Sequence, residues 1–141
     1  MRSAGVLTIL GAALLVACGD GRSPYAHGEE RRVSGVLTID AGALATRMEA
    51  GEPIQLIDVR TPDEFAQGHL EGAINIPLDD FDPANLPDAA GRERVLYCRS
   101  DRRSGVAAQQ LAEATGQTVL HLEGGIDAWA LGDRPIEDGA R

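Results

Sequence analysis

Lysine is absent from this chain. All thirteen basic side chains are arginines, set against twenty-two acidic ones, for a formal balance of −9. An acidic excess of that size leaves no broad cationic face for phosphate backbones, so a nucleic-acid partner is not expected. Cysteine is scarce too, with Cys18 and Cys98 alone, and the three histidines, His27, His69 and His121, are scattered. Two distant cysteines and three separated histidines do not make a metal site. No uncharged run reaches the roughly twenty residues that a membrane-spanning helix needs. At 141 residues the chain can build one ordinary core and not two, and 43% apolar with 25% charged residues is a globular balance.

What is present begins with an export-like leader. Arg2 supplies a short positive region, and Ala4 to Ala17, "AGVLTILGAALLVA", is uncharged throughout, too short to span comfortably but suited to a signal peptide. The run closes on "LVAC", Leu15 to Cys18, which resembles the lipobox of bacterial lipoproteins. That resemblance implies cleavage after residue 17, a lipidated Cys18 as the new N-terminus, and a protein anchored to the periplasmic side of a membrane. Residue 19 is Gly, so no Asp marks inner-membrane retention. Residues 18–35, rich in Gly and charge and without hydrophobic period, read as a flexible tether. The folded part is then expected over residues 36–141.

There, short apolar runs alternate with helix-like stretches. "VLTID" (Val36 to Asp40) reads as a strand, with Asp40 capping a helix that Gly51 ends. "IQLIDV" (Ile54 to Val59) is apolar on both faces, as a covered parallel strand requires. In "TPDEF", Thr61, Pro62 and Glu64 spell a capping box for a short helix ending near Gly68. "AINIP" (Ala73 to Pro77) and "RVLYC", which ends at Cys98, are further strands. Ser104 opens a helix with Ala107, Leu111 and Ala114 on one face, closed by Gly116. "TVLHL" (Thr118 to Leu122) and a last helix in "EGGIDAWA" complete the pattern. Strands alternating with helices imply an α/β fold: a central, mostly parallel, five-stranded sheet with helices on both faces.

Ligands in such folds gather where strands end at their carboxyl edge, and Cys98 falls there. The stretch "YCRSDRRSG" (Tyr97 to Gly105) sets Arg99, Arg102 and Arg103 close to the thiol. Wrapped between strand and helix, Cys98 to Arg103 would direct backbone N–H groups inward, and the helix start adds its positive end. Such surroundings favour a thiolate nucleophile and an oxyanion ligand of sulfonate or sulfate type. Asp101 opposes anion binding unless it points outward or pairs with a neighbour.

Three stretches together are similar to the single-domain rhodaneses, the thiosulfate sulfurtransferase family: Leu56 to Leu78, the loop Tyr97 to Ser104, and Leu122 to Pro135. The resemblance implies a catalytic Cys98, a substrate-binding loop of Arg99, Ser100, Asp101, Arg102 and Arg103, and a supporting pair, Asp58 and Arg60. It implies a two-step reaction in which sulfane sulfur from thiosulfate rests on Cys98 as a persulfide before passing to cyanide or a thiol, with no metal or organic cofactor and with a possible sulfur-relay partner protein. Asp101 stands where the family usually has Gly, and the glycine of "WALGD" comes one place early.

The remaining residues have plainer readings. His69 lies at a turn, His121 alternates with leucines in a strand, Trp129 and Ile126 belong to the core, and Gly124-Gly125 supplies a turn. Cys98 as an inert buried thiol, or in a disulfide with an unlipidated Cys18, are the bland alternatives. A phosphatase of related fold uses Cys-x5-Arg, whereas here Arg falls at x4 and Ser104 at the sixth place after Cys98. A lipid-anchored persulfide carrier with little turnover is the alternative to an efficient enzyme.

Overall fold

The computed structural model describes residues 35–139; the expected leader, Cys18, the tether up to residue 34 and residues 140–141 lie outside the described residues. The elements in chain order are β1 (Gly35–Ile39), α1 (Ala41–Glu49), β2 (Ile54–Asp58), α2 (Pro62–Ala66), β3 (Ile74–Asn75), β4 (Glu93–Tyr97), α3 (Arg102–Thr115), β5 (Thr118–Leu122) and α4 (Gly125–Leu131), with two 3-10 turns, Leu78–Asp80 and Pro83–Asn85, between β3 and β4. The strands form one sheet in the order β1-β5-β4-β2-β3, and every pairing is parallel.

Burial on both faces explains the continuous apolar runs of the inner strands. Leu56, Val95, Tyr97 and Leu122 pack with Leu44 of α1 and with Ile126 and Trp129 of α4. On the opposite face Ile57, Leu96, Cys98 and Val119 pack with Ala107, Ala108, Leu111 and Ala112 of α3. Each fully buried aliphatic side chain contributes roughly 1.5–3 kcal/mol. Among the described residues, no helix is long and apolar enough to cross a membrane.

Local chemistry sets the element ends. Asp40 caps α1 by accepting the Ala43 N–H at 2.9 Å, and Gly51 follows the helix at φ +72°. Thr61 and Glu64 form the expected capping box on α2, with Pro62 in the first turn. The expected strand over residues 73–77 shrinks to Ile74–Asn75, although the N–H groups of Ile76 and Leu78 still donate to Asp58 O and Val59 O at 2.9 and 3.1 Å. Helix α3 opens at Arg102, two residues before the expected Ser104. Its buried stripe runs through Ser104, Ala107, Ala108, Leu111 and Ala112; Ala114 sits at the stripe's edge and is exposed.

Candidate active site

The connection from β2 leads outward to β3, while that from the adjacent β4 leads the other way to β5. Such a divergence leaves a crevice at the carboxyl edge of the sheet. Cys98 stands there, one residue past β4, and is 1% exposed; it is the one free thiol among the described residues. Residues 98–101 bridge from β4 to the N-terminus of α3.

Gly124 and Gly125 shape that bridge. The Ile126 N–H donates to Cys98 O at 2.9 Å and the Asp127 N–H to Arg99 O at 3.1 Å. A Cβ on Gly125 would lie 2.4 Å from Cys98 O, 2.6 Å from Arg99 O and 2.5 Å from Ser100 O, so three consecutive carbonyls converge on a residue with no side chain. In a trans peptide the N–H points opposite its carbonyl. The N–H groups of Arg99, Ser100 and Asp101 therefore turn away from α4, and none has a partner among the described residues. Free donors at a helix start form a concave anion receptor.

Carboxylates claim two of the three arginines in the loop. Arg103 makes a bidentate pair with Glu64 at 2.7 and 2.8 Å, which draws Glu64 down to about 2 and raises Arg103. Arg99, largely exposed, reaches Asp127 at 3.4 Å. No carboxylate pairs with Arg102 among the described residues. With Arg103, Thr61, Leu78 and Asp79 it lines a cavity of about 240 Å³. The Asp101 carboxylate accepts the Gly124 N–H at 2.7 Å, which gives it a partner at the turn before α4. Ser100 is exposed on the loop.

Asp58 and Arg60 lie on the other side of the sheet. Asp58 is fully buried and Arg60 is 6% exposed. The guanidinium donates to both carboxylate oxygens, at 2.6–3.0 Å, and to Gly68 O at 2.7 Å. Burial works against the Arg60 charge, and the Asp58 hydrogen bonds outweigh it, so its pKa rises. The Tyr97 hydroxyl accepts the Leu70 N–H at 3.1 Å, and burial, reinforced by the nearby Asp58 charge, pushes its pKa upward. This cluster joins β2, β4 and the α2–β3 connection; it faces away from the thiol.

His69 is buried, stacked on Phe65 with ring centroids 3.8 Å apart, and its backbone pairs with Glu137. Trp129 and Ile126 are core residues, as read from the sequence. His121 is different. The strand alternation that made it look structural places it on the α3 face, where its Nδ1 lies 3.2 Å from Ser104 Oγ, and that oxygen lies 3.5 Å from Cys98 Sγ. Register supplied the signal: β5 pairs with β4 at Leu96 and His121, and Cys98 follows Leu96 by two on the same face.

The family model for the rhodanese-like domain matches residues 40–131. A sulfurtransferase of Allochromatium vinosum is 38% identical over 101 residues, which cover 72% of this chain and 94% of that protein. An uncharacterised Synechocystis protein is 44% identical over 84 residues, 60% of this chain, and the match spans only 47% of that protein's length. Among solved structures, the crystal structure of a rhodanese-like domain protein from Staphylococcus aureus superposes with a TM-score of 0.61 at 31% identity, covering 73% of this chain and 98% of that one. A match over most of the folded part, with a five-stranded parallel sheet and a cysteine loop after its fourth strand, assigns this chain to the rhodanese-like domain family.

Proposed function

We propose that the protein is a sulfurtransferase whose Cys98 carries the sulfur. The observation that carries the reading is the convergence of the Cys98, Arg99 and Ser100 carbonyls on Gly125, which turns the free amides of the Cys98 loop away from α4 as donors for an anion. The name of the Allochromatium relative supports sulfur transfer. Thiosulfate suits the site as donor: it is a small dianion, and Arg102 offers an unpaired cation at the rim.

In the first step the Cys98 sulfur, as thiolate, attacks the outer sulfur of thiosulfate. The S–S bond of the donor breaks with its electron pair leaving on sulfite, and Cys98 becomes a persulfide whose terminal sulfur is anionic. In the second step cyanide or a thiolate attacks that terminal sulfur; the new S–S bond to Cys98 breaks, and its pair restores the thiolate. Loop amides fixed before the reaction stabilise the anionic sulfur in both steps without reorganisation. The chemistry needs no metal or organic cofactor, because the sulfur rides on the protein.

Export belongs to the same proposal. The leader and "LVAC" support removal of residues 1–17, lipidation of Cys18, and display of the domain on a tether at the periplasmic side of a bacterial membrane, where a sulfur-relay partner could receive the persulfide. Incubation with thiosulfate followed by intact-protein mass spectrometry tests the chemistry: a gain of one sulfur atom, lost in Cys98→Ala, is expected, and no adduct with any sulfane donor overturns it. A stable adduct with negligible transfer to cyanide would instead indicate a carrier. Detergent-phase partitioning tests the anchor; partitioning that persists in Cys18→Ser refutes it.

A further inference from the structure

On the α3 face of the sheet, His121 is a buried titratable group that the sulfur-transfer steps leave without a role. It is 7% exposed, Ser104 is fully buried and Cys98 is 1% exposed, so the three side chains form a line shielded from bulk water. The distances along it are 3.5 Å from Sγ to Ser104 Oγ and 3.2 Å from Oγ to His121 Nδ1. Ser104 sits in the first turn of α3, held by the helix itself. His121 is fixed by β5, and its ring packs over the first turn of α3, where a Cβ added at Gly105 would touch Cε1 at an ordinary contact distance of 3.7 Å.

We propose that Ser104 and His121 are a proton relay that takes the thiol proton of Cys98 and then holds its thiolate. This rests on the reading of Cys98 as the sulfur carrier and assigns two positioning residues to the same site.

In the resting state the Cys98 S–H donates to Ser104 Oγ, and the Ser104 O–H donates to an unprotonated His121 Nδ1. In the transfer the S–H bond breaks and its proton bonds to Ser104 Oγ, while the proton Ser104 already carried bonds to Nδ1. A neutral thiol and imidazole become a thiolate and an imidazolium, Ser104 is unchanged, and nothing is oxidised or reduced. Afterwards Nδ1–H donates to Ser104 Oγ, which leaves the Ser104 O–H to donate to the thiolate. Hydrogen bonds to an ionised partner are about twice as strong as neutral ones, so the second arrangement holds the sulfur in its reactive form.

The surroundings suit each state in turn. Burial holds His121 below the ordinary histidine value, so it is an empty acceptor near neutrality, and the carboxylates of Asp101 and Glu123 oppose that effect and favour the imidazolium once formed. Asp101 faces the ring from the β4–α3 loop, Glu123 from the end of β5 and Cys98 from the end of β4; the register partners Thr38 of β1 and Leu96 of β4 carry no charge. The competing acceptor for the Ser104 proton is Asp101 O at 3.1 Å, which already takes the Gly105 N–H at 2.9 Å.

The test is the rate of Cys98 alkylation by iodoacetamide across mildly acidic to mildly alkaline pH, on the full chain, with the adduct assigned to Cys98 by peptide mass. Ser104→Ala and His121→Phe should each slow alkylation near neutral pH by about tenfold, the effect of losing one hydrogen bond to a charged group. The rates should converge with wild type at alkaline pH, and the double variant should lose no more than either alone. His121→Asn can accept the Ser104 hydrogen bond but cannot take a proton, so it should behave like His121→Phe; it also carries the test should the Phe variant not fold. Superimposable profiles, or wild-type rates in His121→Asn, overturn the relay. Alkylation needs no sulfur donor. A shifted profile without sulfur loading would therefore keep the relay and sink the sulfurtransferase reading, and loading with an unmoved profile would do the reverse.

Discussion

The Asp101 carboxylate accepts the Gly124 N–H at 2.7 Å and ties the loop after Cys98 to the turn that starts α4. A negative charge in an anion-binding loop reads from sequence as a liability. In the fold it is a brace, and its two properties, acceptor and charge, can be separated. Asp101→Asn keeps the acceptor and removes the charge, so the KM for thiosulfate should fall a few-fold. Asp101→Gly removes both, and kcat should fall because the loop is no longer held. Steady-state transfer of sulfur from thiosulfate to cyanide measures both; equal behaviour of the two variants would show that the brace is inert.

Gly125→Ala should damage both the fold and the site. Its Cβ would meet three carbonyl oxygens at 2.4–2.6 Å, and the residue sits at φ +56°, where an L side chain is already disfavoured by about 1–2 kcal/mol. Clash and strain together should destabilise the fold by about 2–4 kcal/mol and abolish sulfur loading. Gly51→Ala is the control: its φ is +72°, but open space surrounds it, so only the conformational part of roughly 1–2 kcal/mol should appear and loading should persist. Urea unfolding and intact mass give the two readouts.

Acid should weaken the link between α2 and α3. Arg103 draws Glu64 from an ordinary value of 4.5 to about 2 in the folded state. A carboxylate depressed by folding stabilises above its unfolded value, and that stability is lost as pH falls from about 4.5 to about 2. Both side chains are about a quarter exposed, so the effect is about 1 kcal/mol. Glu64→Gln should flatten that acid limb while also weakening the α2 capping box. Parallel acid limbs in wild type and variant, followed by chemical denaturation, would contradict the assignment.

Thr61, Pro62 and Glu64 show how much of this molecule the sequence makes legible. Their spacing announces a capping box, because a cap is a contact between residues three apart, and the structure has it. The second role of Glu64, pairing with Arg103, spans 39 positions and leaves no local trace. The same contrast holds for Cys98. Its place at a strand end and its arginines are visible in one short stretch, whereas the pairing of Arg99 and Arg103 with acids, the brace from Asp101 to Gly124 and the line from Cys98 to His121 exist only once β4 lies between β2 and β5. Ser104 reads as the helix opening in sequence, yet α3 starts two residues earlier, with Asp101 at its N-cap and no side-chain cap.

The pair Asp58 and Arg60 should govern stability and leave the sulfur chemistry alone. Arg60→Ala leaves the fully buried Asp58 carboxylate without its guanidinium, although Oδ1 keeps the backbone N–H of residue 60 at 2.9 Å. Stranding a buried charge costs about 3–5 kcal/mol. Tyr97→Phe removes the hydroxyl that accepts the Leu70 N–H, leaves that buried donor unsatisfied, and should cost about 1–3 kcal/mol. Neither side chain lies on the face that Cys98 shares with α3, so folded protein of either variant, kept below its lowered Tm, should still take up one sulfur atom from thiosulfate. Loss of loading in Tyr97→Phe at full folded fraction, judged by circular dichroism, would place this cluster in the chemistry after all.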